Sequence, residues 1–176
     1  MSKTTIAISL LVVAVLSGCA EMSARSRDYV EPSDGETARV RFSTNGDLTL
    51  IPERNCTDWS APGAGVVTSS KNFIVGKPKY IDRKLGIPGT GPAGMASAEA
   101  TVRAGKPLTV VFDSYEAIGD WRYTCKGSFA FIPKAGEDYQ LTVRHDVGAG
   151  YCRYEPTMLS NPTQRVTIYK TEECKR

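Results

Sequence analysis

From Thr37 the chain alternates apolar and polar side chains with a period of two, the pattern of a strand with one buried face. Ala38, Val40 and Phe42 take one side and Arg39, Arg41 and Ser43 the other. Asn45-Gly46 suits the positive φ angles of a tight hairpin turn, and Asp47 to Pro52 returns as a strand with Leu48 and Leu50 on one face. Further strands are expected at Val66 to Ser69, Asn72 to Val75, Lys79 to Leu85, Ala98 to Arg103 and Pro107 to Asp113. Four more follow at Arg122 to Ile132, Tyr139 to His145, Tyr151 to Glu155 and Arg165 to Lys170. A helical period is absent apart from a short turn around Ala93 to Ala98. Many short strands joined by Gly and Pro turns predict an all-β, antiparallel sandwich in preference to a barrel or an α/β fold.

The residues before Thr37 follow other rules. Ile6 to Leu16 is an unbroken apolar run, about half of the roughly 20 residues that a spanning helix needs, and Lys3 gives it a short positive start. Ala20 to Glu36 is polar, with Met22, Tyr29 and Val30 as its sizeable apolar residues and with Pro32 and a Ser-Asp-Gly turn signal. It reads as a flexible tether that reaches roughly 55 to 60 Å when fully extended.

Leu16-Ser17-Gly18-Cys19, ending the apolar run, resembles the lipobox of bacterial lipoproteins. The resemblance implies that residues 1 to 18 are a signal peptide, that Cys19 is lipidated and becomes the mature N-terminus, and that Ala20 after it favours the outer membrane. Two acyl chains on a glycerol and one on the amine exceed what stable anchoring requires. The expected organisation is therefore a signal peptide over 1–18, a lipidated Cys19 and tether over 19–36, and one domain over 37–176.

Of five cysteines, lipidation uses Cys19 and leaves Cys56, Cys125, Cys152 and Cys174, an even number in an exported chain. Three pairings are open in principle. Cys125 with Cys152 would join neighbouring strands across a hairpin region, and Cys56 with Cys174 would tie the early domain to its last strand. These two are preferred. A zinc site is disfavoured, because CxxC spacing is absent and His145 is the only histidine.

Residues 135 to 143 (AGEDYQLTV) resemble a hairpin entry common in prealbumin-like and immunoglobulin-like bacterial surface domains, and residues 99 to 110 (EATVRAGKPLTV) are similar to another such hairpin. Together with residues 125 to 133 (CKGSFAFIP) and Cys152, they resemble a group of small proteobacterial lipoproteins. The resemblance implies a disulfide-stabilised sandwich and brings no catalytic residue with it.

Charge narrows the partners. A formal net charge of +3 gives no reason to expect nucleic acid. Gly89-Thr90-Gly91-Pro92-Ala93-Gly94 matches GxGxxG formally, but Pro88 and Pro92 flank and interrupt it and no helix follows, so no nucleotide cofactor is expected. The segment Leu85 to Ala96 reads instead as a binding loop, with Arg83 and Lys84 at its entrance and Gly89, Gly91 and Gly94 exposing backbone. Lys71, Lys77 and Lys79 add positive charge before it, although a solvated strand face is the simpler account of them.

Catalytic residues are not expected. His145 reads as a surface or edge histidine, and neither Ser128 nor Ser160 lies in a nucleophile motif. Nothing selects Glu99, Asp113, Glu116 or Asp120 as a glycosidase pair. Trp59, Tyr115, Trp121 and Tyr123 would make a sugar platform if they converged, but core packing is the preferred role. The expected protein is a non-enzymatic envelope module, attached to the membrane by its lipid, with an envelope protein or polysaccharide as partner. The alternative is an inhibitor of a periplasmic hydrolase such as lysozyme.

Overall fold

The computed structural model describes residues 20–69 and 78–175, so the signal segment, Cys19 and the strand expected over Asn72 to Val75 lie outside the described residues. Among the described residues nine strands form two packed sheets. They are β1 (Thr37–Thr44), β2 (Asp47–Pro52), β3 (Gly65–Ser69), β4 (Ala96–Arg103), β5 (Leu108–Ile118), β6 (Trp121–Phe131), β7 (Asp138–Asp146), β8 (Tyr151–Met158) and β9 (Tyr169–Lys170). One sheet has the order β4-β1-β7-β8 and the other β3-β2-β5-β6-β9. The fold is an all-β, disulfide-tied sandwich. Among the named strands every pairing is antiparallel except that of β1 with β7, which is parallel and departs from a wholly antiparallel expectation.

The alternation seen in the sequence sets the inner faces. In register, Phe42 faces Ala98 on one side and Leu141 on the other, while Val40 lies between Ala100 and Tyr139. Small residues on β4 thus leave room for the large ones on β1 and β7. Leu48 and Leu50, Val110 and Phe112, and Phe129 and Phe131 supply the opposing layer of one continuous core.

Asn45-Gly46 is a corner, not a hairpin turn. It carries the chain from β1 in one sheet to β2 in the other, and neither residue has a positive φ. Asn45 imitates a strand residue: its Nδ2 donates to the His145 carbonyl at 2.9 Å, and its Oδ1 accepts from the His145 amide at 2.8 Å. A Cβ on Gly46 would stand 2.4 Å from Phe112 Cε2 and 2.6 Å from the Asp113 carbonyl oxygen. Glycine is needed here for close approach.

Two other expected strands change. Residues 79–85 form turns with a single bridge, Ile81 to Ala98, because Asp82 takes a left-handed φ of 63° that breaks an extended run. The last expected strand shrinks to β9, which pairs with Phe129 and Ala130. Residues 93–95 form a turn before β4 begins.

The expected tether is part of the body. Residues 20–26 form a short helix whose Ala24 is buried with Ile51, Ala61, Ala64 and Val111 on the outer face of the five-stranded sheet. Arg25 pairs with Asp113 at 3.1 Å and lies over the Trp59 ring at 5.0 Å. The next residues run beside β3, with the Val66 amide donating to the Arg27 carbonyl and the Tyr29 amide donating to that of Val66. Tyr29, 1% exposed, crosses to the other sheet and donates its hydroxyl to the Thr101 carbonyl on β4 at 3.2 Å. Burial pushes its phenol well above the ordinary value. The physical reason for the difference is the apolar outer face of β2 and β5, which needs a cover.

The two disulfides join Cys125 to Cys152 and Cys56 to Cys174. The first links β6 to β8 and so ties one sheet to the other, a different role from joining neighbouring strands across a hairpin. The second fastens the segment after β2 to the chain beyond β9. In the chain-entropy model, loops closed over 27 and 118 residues stabilise by about 3.6 and about 4.9 kcal/mol respectively.

Two outcomes follow from this packing. Gly46→Ala should destabilise the domain by about 1–3 kcal/mol, because the Asp113 carbonyl is backbone and cannot swing aside; urea unfolding under non-reducing conditions measures it, and an unchanged midpoint would contradict the corner geometry. Trypsin acting on the folded, oxidised protein should spare Arg25 and Arg27, whereas rapid cutting there would restore the flexible tether.

Candidate functional site

The loop singled out in the sequence lies across the outer face of the four-stranded sheet, and a buried ion pair holds it there. Arg41 on β1 and Glu99 on β4 are register partners. Their outward parity would ordinarily put both in water, yet their side chains are only 3% and 1% exposed, with Nε to Oε1 at 2.8 Å. The loop is what covers them. Arg41 donates through its two terminal nitrogens to the carbonyls of Ile87 and Pro88, and Glu99 Oε2 accepts the Leu85 amide. Burial raises the Glu99 carboxyl, but the Leu85 amide, the Arg41 guanidinium and the Ile87 amide together outweigh it, so the group lies below its ordinary value. Two residues earlier on β1, Arg39 grips Asp138 with two nitrogens, at 2.7 and 2.6 Å, and gives a third donor to the Leu85 carbonyl at 2.9 Å.

A second fastening lies at Gly91. A Cβ there would fall 2.6 Å from Ser43 Oγ, so the absence of a side chain lets the loop rest on β1, where Ser43 also accepts from Gln140 Nε2 at 3.0 Å. Gly89 and Gly94 have left-handed φ values of 75° and 76° and face open space. The loop is therefore a clamped platform with exposed crests.

The basic approach is divided. Arg83 pairs with Glu31 at 2.8 Å and stacks over Tyr80, and Lys79 also lies over the Tyr80 ring, at 5.3 Å. Lys84 is exposed and has no ion-pair partner among the described residues. Lys71 and Lys77 lie outside the described residues.

Other candidates separate in space. His145 is 5% exposed and points inward beside Cys152, contrary to a surface or edge position, because β7 places it on the same face as Leu141 and Val143. Ser128 donates to the Thr171 carbonyl and Ser160 to Glu137, neither directed at the imidazole. Asp113 is held by Arg25 and Lys126, both at 3.1 Å, while Glu116 and Asp120 are exposed near the β5–β6 turn. Among the described residues, no group of three or more His, Cys, Asp or Glu side chains could hold a metal ion.

The aromatic residues do not converge either. Trp59 is partly buried against the second apolar cluster, as expected for packing. Trp121 is 72% exposed, contrary to the core role, because β5 and β6 run on past the body as a two-stranded ribbon. That ribbon reaches roughly 13 Å beyond Ser114 and carries Ile118 and Trp121 at its tip.

Sequence reasoning missed the Arg41–Glu99 pair and the fastening at Gly91. The available signal was two arginines in one short strand, Arg39 and Arg41, each able to hold several carbonyls or a carboxylate at once.

No family model matches the chain, and a search of curated proteins returns no match. Among the described residues no helix is long and apolar enough to cross a membrane.

The clamp makes a quantitative demand. Arg41→Met should destabilise the fold by about 3–5 kcal/mol, since it strands a buried carboxylate, whereas Arg41→Met with Glu99→Leu should recover most of that loss. Denaturant titration of the two variants tests this, together with hydrogen exchange at Leu85 and Ile87, which should quicken in both. Equal stability of Arg41→Met and wild type would remove the pair from its anchoring role.

Proposed function

We infer that the chain is a lipid-anchored, non-enzymatic protein of the cell envelope, held at the outer membrane through Cys19 and binding an envelope protein or polysaccharide. The observation that carries this reading is the pair of disulfides, Cys56–Cys174 and Cys125–Cys152, since such cross-links persist in exported proteins and are rare in a reducing cytosol. The apolar run and lipobox-like ending at Cys19 point to the same compartment. Further support for a binding role comes from how the ionisable groups are used. Glu99, Asp113 and Asp138 are committed to arginine pairs that fix structure, and the clamped loop over 85–96 offers a preorganised contact surface.

Inhibition of a periplasmic hydrolase is a second reading, favoured by the projecting β5–β6 ribbon. An exposed tryptophan at the tip of such a ribbon is the kind of anchor that fills an enzyme cleft.

Mass spectrometry of the membrane fraction should find an acylated N-terminus at Cys19, and Cys19→Ala should release the protein from that fraction. An intact Met1, or a variant that fractionates as wild type does, would overturn the anchoring. Crosslinking in cells then separates the partners. Loss of the captured partner on shortening the loop with Arg83→Ser and Lys84→Ser supports the envelope-binding role. Capture of a muralytic enzyme that depends on Trp121 supports inhibition.

A further inference from the structure

The edge of the sandwich between β6 and β8 is closed by the chain's last segment. After β8 the chain turns through 159–164 and bridges back from Arg165 to Thr157. It then crosses to the other sheet and pairs as β9 with Phe129 and Ala130. This strap is fixed at its far end by the Thr171 amide donating to the Ser128 carbonyl, by the Thr57–Glu173 bridge and by Cys56–Cys174. Beneath it the two sheets do not fill the space between them. A pocket of about 320 Å³ remains, at the small end of the roughly 300–1,000 Å³ range of ligand sites.

Its lining divides by chemistry. Ile132, Met158, Val166, Tyr169 and the buried ring of Tyr139 supply the apolar part of the lining, Gln164 and Thr167 add uncharged polar groups, and Lys134 and Arg165 are its exposed cations. The Tyr139 hydroxyl is already engaged, accepting the Lys134 amide at 3.0 Å, and so adds no free polar group to the interior. The charge of the two cations is not neutralised by a carboxylate of the described body. Arg25, Arg39, Arg41, Arg83, Arg103 and Arg153 are ion-paired, whereas neither Lys134 nor Arg165 has an ion pair among the described residues. The acid nearest in sequence to Lys134, Glu137, accepts from Ser160 instead. Ile132 and Tyr169 are exposed as well as lining the pocket, so its apolar surface continues outward to the mouth.

An apolar slot between two sheets, with two unneutralised cations in its lining, asks for a thin apolar chain ending in a negative group. We propose that this pocket binds a single-chain anionic amphiphile, a long-chain carboxylate. Its hydrocarbon lies against Ile132, Tyr139, Met158 and Val166, and its carboxylate accepts charge-assisted hydrogen bonds from Lys134 and Arg165. The pocket lies on the inner side of the four-stranded sheet, where Tyr139 pairs with Val40, and Arg41–Glu99 with the loop it holds lies on the outer side; the proposal does not depend on lipidation of Cys19.

Photocrosslinking tests it on the intact protein in phosphatidylcholine vesicles, using dodecanoate with a diazirine at its far end. Adducts should concentrate on 132–139, 158 and 164–169 and be competed by unlabelled dodecanoate. Lys134→Glu with Arg165→Glu, both exposed and outside the core, should raise half-saturation at least about tenfold, equivalent to roughly 1.4 kcal/mol. Val166→Trp should block labelling by filling the slot. Adducts scattered over the surface, or equal labelling by the amine-headed analogue, would overturn the proposal. Stronger labelling by a lysophosphatidylglycerol analogue would overturn the carboxylate assignment.

Discussion

Two packed sheets bury their inner faces easily, but each sheet ends in strands with unpaired amides and carbonyls, and the gap between those ends is open to water. Closing the two edges is the constraint on which the rest of this structure depends. Both ends of the described chain are used for it. At the β3/β4 edge, Tyr29 donates its amide to the Val66 carbonyl of one sheet and its hydroxyl to the Thr101 carbonyl of the other, with Tyr80 donating its hydroxyl to the Tyr29 carbonyl. At the β6/β8 edge, Cys125–Cys152 and the strap ending in β9 do the same work. The disulfides therefore belong to edge closure more than to hairpin geometry, and the pocket under the strap is a consequence of spanning a gap wider than the side chains beneath it.

The inward half of this arrangement was legible because it is periodic. Ala38, Val40 and Phe42, or Tyr139, Leu141 and Val143, announce their face by position alone. What stayed hidden depends on contacts distant in sequence. Ile51 and Val111 are apolar at outward positions, which in hindsight signals a cover on the outer face, but nothing local says that residues 20–26 provide it. Arg41 has the parity of a solvated residue and becomes buried only when a loop more than 40 residues away settles over it. Asn45-Gly46 shows the same division: the turn chemistry was visible, while the Phe112 ring and the parallel partner β7 that decide its use were not.

The loop over 85–96 is rich in glycine and proline, and Gly89 and Gly94 form exposed crests. Its first residues are nevertheless held by charge-assisted bonds from Arg39 to Leu85 and from Arg41 to Ile87 and Pro88. A ligand that contacts this loop would meet a surface already ordered, and would not bear the entropy of ordering roughly ten residues at about 1–2 kcal/mol each. The buried pair is costly to desolvate, so its value lies in fixing one loop arrangement against alternatives that an apolar contact would tolerate.

The packing of residues 20–26 also changes what an anchor at Cys19 would mean. With a flexible 17-residue tether, the domain could stand tens of ångströms from the bilayer and face any direction. The described chain instead begins with a helix over 20–26 seated on the outer face of the five-stranded sheet. On the reading in which Cys19 is acylated, the body rests at the membrane surface with that side lowermost. The loop over 85–96 lies on the outer face of the other sheet, the side that such an anchor would direct away from the lipid. On that reading the packing of residues 20–26 links the two halves of the proposed function, because it sets which surface of the domain is offered away from the bilayer.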